Sequence, residues 1–371
     1  MSYFHLNFIL KGKLTVCCLL MLSVMPLNAQ REAKQIGDFK ESISLNEHLR
    51  GTKRTLQYRP DGDEFVCVNG KNRYTRALYG SHSPFRVETS DRPVFAFYNN
   101  GRGGNISFKV ILRDGTELAL DCTGHCESRY SAGKRTYYLT DPSWGKGELR
   151  ISVLALADMD GAIWRFSPSN MPKGAILRWQ HGGATGKRLS RNGDMGVDPA
   201  DCFELPVEAT DLVTGELSLQ KEVYLVRGEV PEGYNVRKLY QQAEAASLAL
   251  ASHLKIETPD PYLNTLGGAL VAAADGIWDG QVWLHGAIGW RMPLSGWRAG
   301  YTGDALGWHD RARTHFDAYA ASQVTDVPNT IPHPAQDSTM NLARSDKRWG
   351  TPQYSNCLLY TSPSPRDISG S

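Results

Sequence analysis

Thr258-Pro259-Asp260-Pro261-Tyr262-Leu263-Asn264 signals the start of a helix, the second of those expected after the chain changes character at Pro231. Asp260 is an N-cap residue, and Pro261 suits the first helical position, where its missing N–H is not needed. Leu263, Leu266, Leu270, Ala274 and Ile277 then recur at helical spacing and predict an amphipathic helix. Upstream, Tyr234 to Leu254 sets Val236, Leu239, Tyr240, Ala243, Ala246, Leu250 and Leu254 on one face of an Ala-rich stretch, a linker helix. Downstream, a third helix is expected from near Thr302 or Asp304 to about Ser322, with Trp308, Ala312, Phe316 and Tyr319 on one side. Val324 to Gly350 carries only loop chemistry, with Pro328, Pro332 and Pro334 among Asn, Asp and Ser.

Before Pro231 the texture is different. Short runs rich in β-branched and aromatic residues are broken by Gly, Pro, Asn and Asp: Glu64 to Asn69, Phe85 to Glu88, Val94 to Tyr98, Ile106 to Leu112, Arg135 to Thr140, Glu148 to Leu156, Ala175 to Trp179 and Leu217 to Val226. Several alternate apolar with polar, as half-buried antiparallel strands do, and many are separated by short turn-rich stretches. A large β-sandwich is the natural solution.

Length and composition allow two domains with a sizeable core: 371 residues, 41% hydrophobic and 22% charged. The 41 basic and 39 acidic residues are dispersed without runs, which leaves no electrostatic footprint for nucleic acid or an anionic membrane. Lys11 and Lys13, the apolar stretch Leu14 to Leu27, and the exit Leu27-Asn28-Ala29 read as a secretory signal peptide. The apolar run is shorter than the roughly 20 residues a spanning helix needs. An exported protein is expected, periplasmic or secreted in a Gram-negative bacterium. Cys67, Cys122, Cys126 and Cys202 remain after cleavage, and four cysteines allow three pairings. Cys122, His125 and Cys126 lack the spacing and fourth ligand of a zinc site, and they read as strand or loop residues. No metal or cofactor is implied.

Between Gly276 and Asp317 lie five of the nine Trp: Trp278, Trp283, Trp290, Trp297 and Trp308. Aromatic faces, Arg and Asp heads and sharp turns suit a sugar cleft, because pyranose rings carry apolar faces rimmed by hydroxyls. The candidate sugar-contacting residues are Trp283, Trp290, Arg291, Trp297, Arg298, Tyr301 and Trp308. Trp283, Trp290 and Trp297 fall seven apart, but Gly286, Gly289, Pro293 and Gly296 exclude a continuous helix. The same indoles would also serve to fill a domain join. Arg291 and Arg298 are suited to holding a substrate carboxylate or to bracing Asp304. His285 and His309 read as structural histidines, and Gly101 to Gly104 lacks the Lys and helix of a phosphate loop.

Glycoside hydrolysis ordinarily needs two carboxyl groups, one protonated and one ionised. No Glu follows Glu257, so every later candidate is Asp: Asp260, Asp275, Asp279, Asp304, Asp310, Asp317, Asp326, Asp337 or Asp346. Asp304, after Gly303 and close to Trp297, Arg298 and Tyr301, is the catalytic candidate. A helix cap is an equal reading of it. Asp310 reads as a helix-surface or ion-pairing residue and Asp279 as a turn residue.

A sandwich, a linker helix and a T-P-D-P-Y-L-N opening resemble the secreted six-hairpin glycosidases. Arg73 to Arg92 (RYTRALYGSHSPFRVETSDR), Gly101 to Asn105 (GRGGN) and Trp283 to Arg313 are similar to an uncharacterised family of exported bacterial proteins of that architecture, a domain of unknown function. The resemblance spans Arg54 to Asn356. Gly300-Tyr301-Thr302-Gly303-Asp304 is also similar to the G-W-T-G-D string on the active-site side of the α-L-rhamnosidase toroid, without the acidic residues upstream. Cys357 to Asp367 (CLLYTSPSPRD) resembles a translated sequencing adapter, so natural sequence is expected only to about Asn356.

The resemblance implies a β-supersandwich followed by the start of an (α/α)6 toroid, truncated. The expected divisions are a signal peptide (1–29), an N-terminal sandwich (30–230), a linker helix (231–258), the first toroid helices (259–356) and the tail (357–371). The expected function is an exported glycoside hydrolase acting on an oligo- or polysaccharide, its partner carboxylate beyond residue 356. The alternatives are a non-catalytic carbohydrate-binding protein, or a toroid-type polysaccharide lyase using a His, Tyr or Lys base.

Overall fold

The computed structural model describes residues 57–72, 75–83, 85–99, 102–182, 212–284 and 300–321. All but Gln57 belong to the compact unit Tyr58–Ser371. The expected signal segment (1–29), Cys202, Trp290, Arg291, Trp297, Arg298 and the stretch from 322 onward lie outside the described residues.

Two antiparallel seven-stranded sheets form a sandwich-like body. Numbered in chain order, the first sheet runs β1 (Arg59–Asp61), β2 (Glu64–Val68), β8 (His125–Ser131), β9 (Lys134–Thr140), β10 (Glu148–Ala155), β11 (Gly161–Ser169) and β14 (Val223–Gly228). The second runs β13 (Val213–Ser218), β12 (Ile176–Gly182), β6 (Arg102–Ile111), β5 (Phe95–Asn99), β4 (Arg86–Thr89) and β3 (Arg76–Leu78), with β7 (Glu117–Ala119) paired to β6. The expected strands are present with small boundary shifts. Leu217 to Val226 is the exception, since it holds the end of β13 and most of β14 in different sheets. The chain changes sheet across 219–222, where the Leu219 N–H donates to Ala175 O at 3.1 Å.

Alternation along β10 explains the packing. Leu149, Ile151 and Val153 point into the sandwich and are buried. They share that core with Trp164, which meets Phe95 and Phe97 edge-on at 5.6 and 5.7 Å. Leu154, on the other face, is buried with Ile163 by Leu239, Tyr240 and Ala243. Those three belong to α1 (Val236–Ala251), capped by Asn235, whose Oδ1 accepts from the Lys238 N–H at 3.0 Å. α1 therefore covers one end of the outer face of the first sheet. Lys134 pairs with Glu244 at 3.1 Å, and the Arg165 guanidinium lies 4.5 Å over the Tyr240 ring. The sandwich also encloses an ion pair, Arg135 to Asp91 at 3.6 Å, both fully buried.

α2 (Pro261–Gly276) begins as expected, with Asp260 Oδ1 accepting from the Tyr262 N–H at 2.8 Å. Its buried face differs from the expected one. Thr265, Gly267, Val271, Ala272 and Asp275 are buried, while Leu263 and Leu270 are exposed. Small residues allow the close approach, because a Cβ on Gly267 or Gly268 would press on Leu254 O and on Ala132 and Ala251. Thr265 Oγ1 donates to Gly62 O at 2.9 Å and ties α2 to the β1–β2 turn.

The third expected helix is two pieces: a helical turn over 300–305 and α3 (His309–Ala321). Gly307 at φ +78° makes the break. Its N–H donates to Asp304 O and the Trp308 N–H donates to Gly303 O, both at 2.9 Å, which is a Schellman cap that only a residue tolerant of positive φ closes without strain. No described helix is long and apolar enough to cross a membrane.

Candidate functional site

A cavity of about 240 Å³ opens where the sandwich meets the three helices. Tyr79, Gly80 and His82 reach it from the segment after β3, Tyr130 from β8, Ser247 and Leu250 from α1, Asp275 from α2 and Arg311 from α3. The YGSHS string is built for this junction. Tyr79 packs where a Cβ on Gly276 would collide with its ring, and Gly80 passes so close to Leu156 O that any side chain would clash. Ser81 Oγ donates to Asp160 Oδ1 at 2.7 Å, and Ser83 Oγ donates to the same oxygen. His82, held between these two anchors, turns towards α2.

Asp275 Oδ1 lies 3.1 Å from His82 Nε2 and 2.6 Å from Arg311 Nη1. The Asp275 side chain is 12% exposed, Arg311 29% and His82 36%, so the cluster grades from interior to mouth. Asp275 sits in the last turn of α2 and Arg311 in the first turn of α3. Each charge therefore stands at the helix end that opposes it, since helix C-termini disfavour anions and N-termini disfavour cations. Burial pushes the Asp275 carboxyl upward, but the hydrogen bonds from His82 and Arg311 prevail and hold it below the ordinary range. It is an ionised carboxylate. Burial raises the phenols of Tyr79 and Tyr130, which stay protonated, and the Tyr130 hydroxyl accepts from the Gly133 N–H at 3.3 Å.

Arg311 also stacks 4.6 Å over Trp308 and 5.8 Å over Trp278. Trp283 lies behind them, 1% exposed. Its Nε1 donates to Ala274 O, and its backbone N–H donates to His315 Nδ1, each at 3.0 Å. Trp278 and Trp308 flank its ring at 4.6 and 6.4 Å. Trp283 is thus packed among residues of the helical segment, with no ring face open in this structure. Gly303 in the GYTGD string is glycine for the same reason, because a Cβ there would penetrate the Trp283 indole. Trp308 is half-buried and stacked with His253 at 5.3 Å. Tyr301 is half-buried near Phe316.

Asp304 lies inside the helical turn rather than at its start, so it is no N-cap. Its carboxylate is exposed and meets His309 Nδ1 at 2.6 Å. Asp279 closes a turn, accepting from the N–H groups of Gln281 and Val282. Among the described residues no group of three His, Cys, Asp or Glu converges for a metal. His125 points outward and Cys126 inward from adjacent positions of β8, and burial pushes the Cys126 thiol up to about 12.

Sequence reading named Asp275 only as one of nine Asp and did not single out His82. The usable signal was the pair of anchors around His82 in Gly80-Ser81-His82-Ser83, together with an Asp placed against a helix dipole.

Residues 100–231 match the family model described as Domain of unknown function (DUF4450). The match covers β6 to β14, and it includes Tyr130 but none of His82, Asp275 and Arg311. No curated protein matches the chain.

Proposed function

We propose that this protein is an exported glycoside hydrolase of the six-hairpin type, its helices forming the first part of an (α/α)6 toroid and its substrate cleft at the sandwich–helix junction. The observation that carries the reading is Asp275, an ionised carboxylate at the wall of a cavity flanked by an imidazole, a guanidinium and protonated phenols. In hydrolysis Asp275 supplies the base role, with His82 relaying the proton from water: one imidazole nitrogen is held on the carboxylate and the other faces away from it. Arg311 holds the carboxylate ionised and orients it. Trp290, Arg291, Trp297, Arg298, Tyr301 and Trp308 stand as sugar-contacting residues, and Asp304 as the second carboxylate. The test is incubation of the full chain with neutral and uronic oligosaccharides, followed by assay of reducing ends. Release by the wild type and its loss in His82→Ala supports the reading, and no release from any substrate refutes hydrolysis.

One observation favours a lyase as the second reading: His82, Tyr79, Tyr130 and Arg311 line one cavity. A base, a phenol and a guanidinium suit proton abstraction beside a uronate carboxylate. An unsaturated product from uronic substrates alone would select it.

A further inference from the structure

A second depression, of about 520 Å³, lies on the outer face of the first sheet, beyond the end that α1 covers. Antiparallel register sets its floor. Glu127, Tyr138, Arg150 and Ser167 are direct cross-strand partners on β8, β9, β10 and β11. A second row, His125, Thr140, Glu148 and Ser169, runs beside it. Three inter-strand steps give each row a length of about 14 Å.

The charges in and around this depression are only partly neutralised. Arg129, two residues further along β8 on the same face, is occupied by Glu127 at 2.6 Å, Asp61 at 2.9 Å and Glu64 at 3.0 Å. Arg150 has neither a carboxylate nor a carbonyl acceptor among the described residues, and its Nε is shielded from water without a partner. Its guanidinium lies 5.3 Å over Tyr138, whose ring also has the Arg129 guanidinium 5.9 Å from its centroid, so this residue, 38% exposed in the centre of a polar row, presents its edge and hydroxyl. Glu148, exposed and beside Arg150 on the same face, completes the set.

We infer that this face is a binding site for a neutral glycan chain, separate from the junction cavity. Planar carboxylate and guanidinium groups each meet two adjacent sugar hydroxyls, and a half-exposed phenol offers an apolar edge with a polar tip. Arg129 faces three carboxylates, Glu127 among them, and this net negative cluster together with Glu148 outweighs Arg150 and repels a polyanion, which selects neutral sugars. The site does not depend on hydrolysis at the junction.

Affinity electrophoresis of the full chain through gels containing glucomannan, galactan, xyloglucan, polygalacturonate or chondroitin sulfate tests it. Retardation by at least one neutral polymer is expected. It should fall at least tenfold in apparent affinity in Tyr138→Ala and in Glu148→Gln, and persist in His82→Ala. Glu148 is exposed and has no partner among the described residues, so its variant should keep the fold. Absence of retardation, retardation by the anionic polymers alone, or retardation that survives both variants would overturn the site. Loss in His82→Ala would place the binding at the junction instead.

Discussion

Asp275 and Arg311 meet at 2.6 Å from two helix ends that each disfavour the charge they carry. Local helix electrostatics would put a cation in the last turn of α2 and an anion in the first turn of α3. The reversal is compensated across the junction, and His82 joins it from the sandwich side. A broken local rule with a specific compensation, at the wall of a cavity, is the feature on which the proposed function rests.

Substituting Asp275→Asn should cost about 1–3 kcal/mol, because Arg311 loses its charged partner. The folded carboxyl has a lowered pKa, so its contribution is present above the unfolded value of about 3.9 and is lost as pH falls through the folded value. Urea melts of wild type and variant should differ at pH 5 and converge as pH falls below about 4. A gap that persists undiminished well below about pH 4 would contradict the ionised assignment.

Arg135→Met should destabilise the sandwich by about 3–5 kcal/mol, since it leaves Asp91 charged and buried. The Asn72 N–H and the Thr75 hydroxyl would still reach Asp91, at 3.0 and 3.3 Å. The double variant Arg135→Met with Asp91→Asn should recover part of the loss. Thermal denaturation followed by circular dichroism reads both.

Gly303→Ala should lower stability by about 1–3 kcal/mol through overlap with the Trp283 indole. Trp283 fluorescence should shift as the ring is displaced. An unchanged melting temperature and spectrum would show that the helical turn does not press on Trp283.

Asp304→Asn separates two roles. As the second carboxylate it should abolish turnover with melting temperature held, whereas as a surface partner of His309 it should change neither by much. Steady-state assay beside a melting curve distinguishes them.

Much of the sandwich was legible because its strands alternate. Glu148 to Leu156 shows how far this goes, since its pattern turns apolar on both faces where α1 lies on Leu154. The Asp260-Pro261 cap reads correctly, and Tyr234 to Leu254 holds the helix Val236–Ala251, though of its expected face only Leu239, Tyr240 and Ala243 are buried while Val236 and Ala246 are exposed. Leu217 to Val226 did not, because the sheet change at 219–222 is set by long-range pairing with Ala175 and carries no Gly or Pro. Gly307 was visible as a residue, but its cap depends on the φ it adopts. At the site, the Trp-rich stretch drew the eye to Trp283, which is core. His82 and Asp275 are 193 positions apart, and only the fold brings them together.

The most direct measurement of the junction site is reducing-end release from oligosaccharides by wild type and Asp275→Asn, compared at a temperature where both are folded. Loss of about two orders of magnitude in kcat in the variant, with the melting transition still cooperative, is the predicted result. Undiminished turnover in a folded Asp275→Asn, or no turnover by the wild type on any glycan, would contradict the account.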